Sequence, residues 1–93
     1  LSPVAPVVAY NAEWAAPTNE VATTMHHIGY TLPYNMSEQP AASVNCGYTR
    51  AGLPIGLQIA GARFDDLGVL RVAHAWERMR PAQHPWPQPP GAA

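Results

Sequence analysis

Lysine is absent from these 93 residues; all five cations are arginine, set against six carboxylates for a formal charge of -1. Without a basic excess the chain has no electrostatic footprint for a phosphate backbone or an anionic lipid, so neither nucleic-acid nor membrane binding is expected of it. Cysteine is nearly absent: the single Cys46 excludes an internal disulfide and any metal set built from several thiolates. A reducing, cytoplasmic setting fits that usage. Charged residues are few, 12% against 47% hydrophobic, a globular balance that excludes disorder throughout. Long apolar runs are missing too. The longest, from Leu53 to Ala60, is interrupted by Pro54, Gly56 and Gln58 and falls far short of the ~20 residues that span a bilayer. No basic stretch leads into an apolar one near Leu1, so no secretory leader is legible, and a processing step or a cut is expected before Leu1.

Proline is what the chain has in excess, 11 residues beside 7 glycines, which shortens regular elements and argues against a large self-sufficient core. Four stretches are expected. Residues 1–19 read as extended chain, with Pro6 demoting the apolar run Val4 to Tyr10 to an edge strand followed by loop. Residues 20–40 read as a short helix and a loop: Asn19 caps the helix, Val21, Met25 and Ile28 share one face, and Gly29 ends it. The loop after it, Tyr30 to Pro40, is rich in aromatic and amide groups and is the most functional-looking stretch. Residues 41–80 read as a β-hairpin and a last helix. Ala42 to Tyr48 and Gly56 to Ala60 form the strands, Ala51-Gly52 the turn, and Pro54 the opening of the second strand. Alternation puts Ile55, Leu57 and Ile59 on a bulky face, which the last helix is expected to cover. That helix is capped by Asp65, with Phe64 stapling Val69, and runs to Met79 on a stripe of Val69, Val72, Ala73, Trp76 and Met79. Residues 81–93 are a proline-rich tail, expected to run extended over a surface or hang free.

Intrinsic chemistry is sparse. Cys46 could pair with His26, His27, His74 or His84 as a thiolate nucleophile, but a cysteine in mid-strand is expected as a small apolar filler instead. His26 and His27 are adjacent and diverge on a helix, and no His-x-His or His-x-x-x-His spacing exists, so no metal site is expected. Asp65 and Asp66 are explained together by a helix start rather than by paired-carboxylate catalysis. Pro87-Gln88-Pro89-Pro90 fits a PxxP ligand and is read as tail.

A composite pattern covers more than any of these. Tyr34-Asn35, then Pro40-Ala41 leading to Cys46-Gly47-Tyr48, then Gly52-Leu53-Pro54-Ile55-Gly56-Leu57-Gln58, then Phe64-Asp65-Asp66 opening a helix, follow one another over some 45 residues. In that order they resemble the C-terminal end of the amidase signature family, and Leu1 to Val8 resembles, more loosely, the strand that precedes a variable loop there. The resemblance implies an α/β fold, namely the C-terminal part of the family's α/β/α architecture. It further implies a reaction at carboxamide C–N bonds, run by a Ser-Ser-Lys triad from a Gly/Ser-rich segment upstream. Ser2, Ser37 and Ser43 lie in no such run and no lysine is present, so by resemblance the catalytic residues are not in this chain and it is expected to be inactive alone. Arginine cannot take the lysine's place, because it stays protonated. No cofactor is implied.

What the resemblance assigns to this chain is the end of a mixed sheet and part of the substrate pocket wall, with Thr31, Tyr34, Asn35 and Met36 as candidate substrate-binding residues. Its expected partners are the N-terminal part of its own domain, a small amide substrate reached through the parent, and further copies of itself if it is isolated. Two alternatives stand beside this reading. One is the branch of the same family that serves as the A subunit of glutamyl-tRNA(Gln) amidotransferase, and the other is a stand-alone binding module using the hairpin face and the proline tail.

Overall fold

The fold was taken from a computed structural model, which describes residues 1–18 and 20–91. Its centre is a three-stranded antiparallel sheet in the order β1-β3-β2, where β1 is Ser2–Pro3, β2 is Ala41–Tyr48 and β3 is Pro54–Ala60. The expected hairpin is present with both strands near their predicted bounds. Its turn is closed by two backbone bonds: Gly52 N–H bonds Thr49 O at 2.9 Å and Thr49 N–H bonds Leu53 O at 2.8 Å. Gly52 takes φ 87°, the left-handed conformation that closes such a turn and that a side chain would resist. The edge strand is displaced from its expected place, for it is made by Ser2–Pro3 while Val4 to Tyr10 forms no strand. Pro3 is tolerated because this strand is short and at the border of the sheet.

Register divides the sheet into two unlike faces. Ser2, Gln58 and Ser43 are paired across the three strands and form one polar rung. The next rung, Pro3, Leu57 and Val44, points to the opposite face with Ala42 and Ile59. There the last helix, α2 (Asp66–Met79), packs against β2 and β3, and Ile59 and Val69 are buried. Asp65 caps α2 as expected, accepting from Gly68 N–H at 3.1 Å. The side of α2 that is covered follows Val69, Ala73 and Trp76, spaced four and three residues apart. Val72 and Met79 are exposed, contrary to the expected stripe, because they lie on its flank rather than along its centre. Ile55 is also exposed, opposite Gly47 beside the β2 irregularity.

Four further expectations are corrected. Cys46 is half-buried rather than a core filler, because it is the extra residue of a β-bulge between Asn45 and Gly47. Asn45 fixes that bulge with two side-chain bonds to the Gly47 backbone, each 3.1 Å. Phe64 does not staple Val69: with φ 70° its ring points outward, 81% exposed, beneath the Arg63 guanidinium. The helix expected from Asn19 is replaced by two 3-10 turns, Val21–Thr23 and His26–Ile28, and the Asn19 cap lies outside the described residues. Here Thr23 and Thr24 turn their hydroxyls onto Glu20 O, at 3.4 and 2.9 Å, so the side chains compete for a carbonyl that a longer helix would use. Conversely the expected loop at Tyr30 to Pro40 holds a six-residue helix, α1 (Leu32–Ser37), with Pro33 in its first turn where a missing N–H costs little.

Candidate functional site

On the sheet face away from α2 there is a cleft of about 340 Å³ between α1 and the polar rung. Three of the four predicted residues meet there: Thr31, Tyr34 and Asn35 line it, whereas Met36 is 77% exposed and lies outside. Their convergence follows from local structure. Thr31, Tyr34 and Asn35 are three and four residues apart, which places them on one side of a helical turn, and Met36 falls on the other. Thr31 is half-buried and spends its hydroxyl on Ile28 O at 3.2 Å, tying α1 to the preceding 3-10 turn.

The rest of the wall comes from the sheet. Gln58 is 4% exposed and is the one buried polar side chain among the described residues. Its Nε2 donates to Ser2 Oγ at 2.9 Å and to Tyr30 O at 2.7 Å, so one carboxamide ties β1, β3 and the entry to α1 together. Ser43, its cross-strand neighbour, is exposed in the same cleft. Neither residue was singled out from the sequence as a site residue. The sequence holds little signal for them. A glutamine alternating with Leu57 and Ile59 reads as the opposite, polar face of a strand, and its burial comes from Ser2 and the chain at Tyr30.

At the closed end the chain is clamped. Ser37 Oγ donates to Gln39 Oε1 at 2.9 Å, Gln39 Nε2 donates to Gly61 O at 3.0 Å, and Gly61 N–H returns to Pro40 O at 3.0 Å. Glu38, which had no role in the sequence, ends α1 in the left-handed conformation and pairs with Arg63. That pair is exposed on both sides and does not line the cleft. A larger hollow of about 540 Å³ lies between Val4 to Ala9 and the neighbouring ends of β2 and β3, but aliphatic groups and backbone make most of its wall. The smaller cleft is therefore the chemical candidate, since it gathers the polar groups that could orient a ligand.

The two acid-base candidates resolve as structural. Asp65 is consumed by its cap, Asp66 opens the first turn of α2, and among the described residues no group of three metal-capable side chains comes together. No helix among the described residues is long and apolar enough to cross a membrane.

With that geometry in place, comparison with known proteins gives the class. The family model described as Amidase matches residues 1–70, and the chain belongs to that family, as a segment of an amidase signature enzyme. It is similar to the A subunit of glutamyl-tRNA(Gln) amidotransferase from Myxococcus xanthus, 59% identical over 49 residues, which is 53% of this chain and 10% of that protein. The protein of the same name from Brevibacillus brevis is 58% identical over 48 residues, covering 52% of this chain and 10% of the relative. A longer match, 40% identical over 78 residues, joins 84% of this chain to 16% of the corresponding protein of a Synechococcus species. The chain thus spans between a tenth and a sixth of the length of these relatives. No solved structure matches it.

Proposed function

We propose that this chain is the C-terminal, pocket-lining part of a larger amidase signature amidohydrolase that cleaves carboxamide C–N bonds in the cytoplasm. The observation that carries the reading is the gathering of Thr31, Tyr34 and Asn35 with Ser43 and Gln58 around one cleft. These groups bind and orient; they do not attack. No lysine is present to take a proton from a serine, so nucleophile and base belong to the remainder of the enzyme. The 93 residues alone are inactive, and β2 is left as the sheet's outer strand, with one edge open to further pairing. Made alone, the chain self-associates, and a clean monomer in sedimentation at high concentration would count against that.

Ammonia release from simple carboxamides tests the main reading, measured on the uninterrupted gene product and on the 93 residues alone. Activity in the first and none in the second is expected; activity in the isolated chain, or an inert full product, would overturn it. A second reading is favoured by the names of the relatives: the A subunit of a glutamyl-tRNA(Gln) amidotransferase, which would use glutamine as nitrogen donor. Ammonia release from glutamine that depends on ATP and companion proteins would select it.

A further inference from the structure

Helix α1 carries the cleft residues Tyr34 and Asn35, yet little within it accounts for where it lies. It is six residues long, none of them buried, and Thr31 at its start makes no side-chain cap. A helix so short has no stability of its own in water, and without an apolar face in the core it is not held by packing. Its far end is fixed regardless. Pro40 leads straight into β2, Gly61 N–H bonds Pro40 O, and Gln39 and the Glu38–Arg63 pair reach the chain just after β3. Its near end follows the two 3-10 turns, where Val21 and Met25 are exposed. Among the described residues one side-chain hydrogen bond joins that near end to the sheet, from Gln58 Nε2 to Tyr30 O at 2.7 Å.

That bond has one possible sense. Ser2 Oγ donates its proton to Pro3 O at 3.1 Å and accepts from Gln58 Nε2 at 2.9 Å, while Tyr30 O can only accept. Turning the amide over would set its oxygen against two acceptors with no proton between them, so its two N–H groups are committed to the edge strand β1 and to the residue before Thr31. At 4% exposure the amide is shielded from water that could take the place of either partner. The next residue along β3, Ile59, faces the other side of the sheet, under α2.

We propose that Gln58 is a positioning residue of the cleft: it acts on the substrate through α1, by holding Tyr30 O and so setting Thr31, Tyr34 and Asn35 at their distance from the sheet. The proposal rests on the pocket-lining reading of this chain. Breaking the tie leaves Tyr30 O without its donor and lets the first turn of α1 swing about its fixed end at Pro40, so the three side chains no longer converge. A ligand then has to re-form the wall as it binds, and its apparent affinity falls by the fraction of molecules that hold the wall in place. The bond-breaking groups belong to the remainder of the enzyme and stay where they are, so the loss enters KM and not kcat.

The test uses the uninterrupted gene product, with ammonia release from butyramide and amide exchange over residues 31–37 as its two readouts. Gln58→Met keeps a side chain of similar length that donates nothing. Its KM rises about tenfold, the scale on which a buried acceptor loses its donor, with kcat within about twofold of the parent. Exchange over residues 31–37 accelerates by a similar factor while β2 and β3 keep their protection. Ile59→Val weakens the same strand from its other face; it lowers the melting midpoint and leaves KM and that exchange unchanged, which separates positioning from lost stability. Should Gln58→Met fail to fold, Gln58→Asn takes its place, an amide one methylene too short to reach Tyr30 O. A folded Gln58 variant with unchanged KM and exchange would overturn the inference, as would an equal rise of KM in Ile59→Val. Either effect without the other overturns it too: raised KM with slow exchange makes Gln58 a direct contact, and fast exchange with unchanged KM leaves α1 out of binding. A product inert toward butyramide and other simple carboxamides strikes the amidohydrolase reading instead, and exchange alone then decides whether Gln58 holds α1.

Discussion

Between Pro40 and Met79 each element leans on another part of the same chain, whereas between Val7 and Tyr30 the large apolar side chains mostly face outward. Ile59 and Val69 are 3% and 5% exposed; Trp14, Val21 and Met25 are 50%, 92% and 63% exposed. Both stretches carry many apolar residues, so composition does not make the difference. The hairpin and helix have local signals that agree with one another: a Gly52 turn, alternation in β3, an aspartate cap and a stripe of matching period. The earlier stretch has scattered apolar groups without a shared period, and only Ala16 is buried within it among the described residues. Such a surface is left uncovered among the described residues, in a chain whose match covers a tenth of the Myxococcus xanthus relative.

The largest effect expected from this contrast is at Ile59. Ile59→Ala opens a cavity between sheet and helix and costs about 2–4 kcal/mol, enough to abolish a cooperative melt in so small a unit. Val21→Ala, the same kind of truncation at an exposed site, changes stability by less than about 0.5 kcal/mol. Urea titrations of the two variants decide: comparable losses would mean that the earlier stretch packs as tightly as the hairpin.

Next in size are Gly61 and Trp76. A Cβ at Gly61 would approach Val69 Cγ2 to 2.8 Å, so Gly61→Ala pushes α2 off the sheet and costs about 1–3 kcal/mol as an overpacking change. Trp76→Phe keeps an aromatic ring but loses the 2.8 Å bond from Nε1 to Asn45 O, worth about 1 kcal/mol. Trp14→Phe has no side-chain bond to lose among the described residues and shifts the melting midpoint little. Thermal melts followed by near-ultraviolet circular dichroism would show whether the two tryptophans differ as stated.

What was legible follows the same division. The strands, the turn and the capped helix could be read because each is fixed by neighbours within a few residues, as Asp65 is by Gly68. The short helix α1 could not: six residues hold no clear repeat, and Pro33 marks a helix start as readily as a loop. The cleft was half legible. Thr31, Tyr34 and Asn35 came from the family resemblance and do meet, while Met36 falls outside because a helical turn sends it the other way. Gln58 and Ser43 enter only through strand register, and pairing between residues on two different strands is not a property of either run by itself.

The cap is the next smaller effect. Asp65→Ala leaves Gly68 N–H unsatisfied at the start of α2 and lowers stability by about 1 kcal/mol, while Asp65→Asn keeps most of it. Gly68 is part of the same device, because a Cβ there would collide with the Asp65 carboxylate. Gly68→Ala therefore forfeits the cap even though alanine favours helix, and it should lower stability where propensity alone predicts a gain. Equal or higher stability in Gly68→Ala would show that the aspartate can be displaced without loss.

The smallest effect separates the tail from both regions. His84 stacks on Tyr48 with ring centres 3.6 Å apart and planes at 11°, and its backbone N–H bonds the Tyr48 hydroxyl at 3.2 Å. The Tyr48 hydroxyl also donates to Gln83 Oε1 at 3.4 Å, and beyond His84 Trp86 is 90% exposed, so the anchor is the Gln83-His84 pair on Tyr48 rather than the proline run. His84→Ala should cost no more than about 1 kcal/mol, since both groups are reachable by water, yet free the tail from β2. Amide exchange resolves the two effects: at residues 82–86 exchange accelerates to near-coil rates while β2 and β3 keep their protection. If β2 loosens as well, the tail is a further layer of the hairpin unit rather than a strap laid over it, and the boundary of the self-supporting region moves from Met79 to His84.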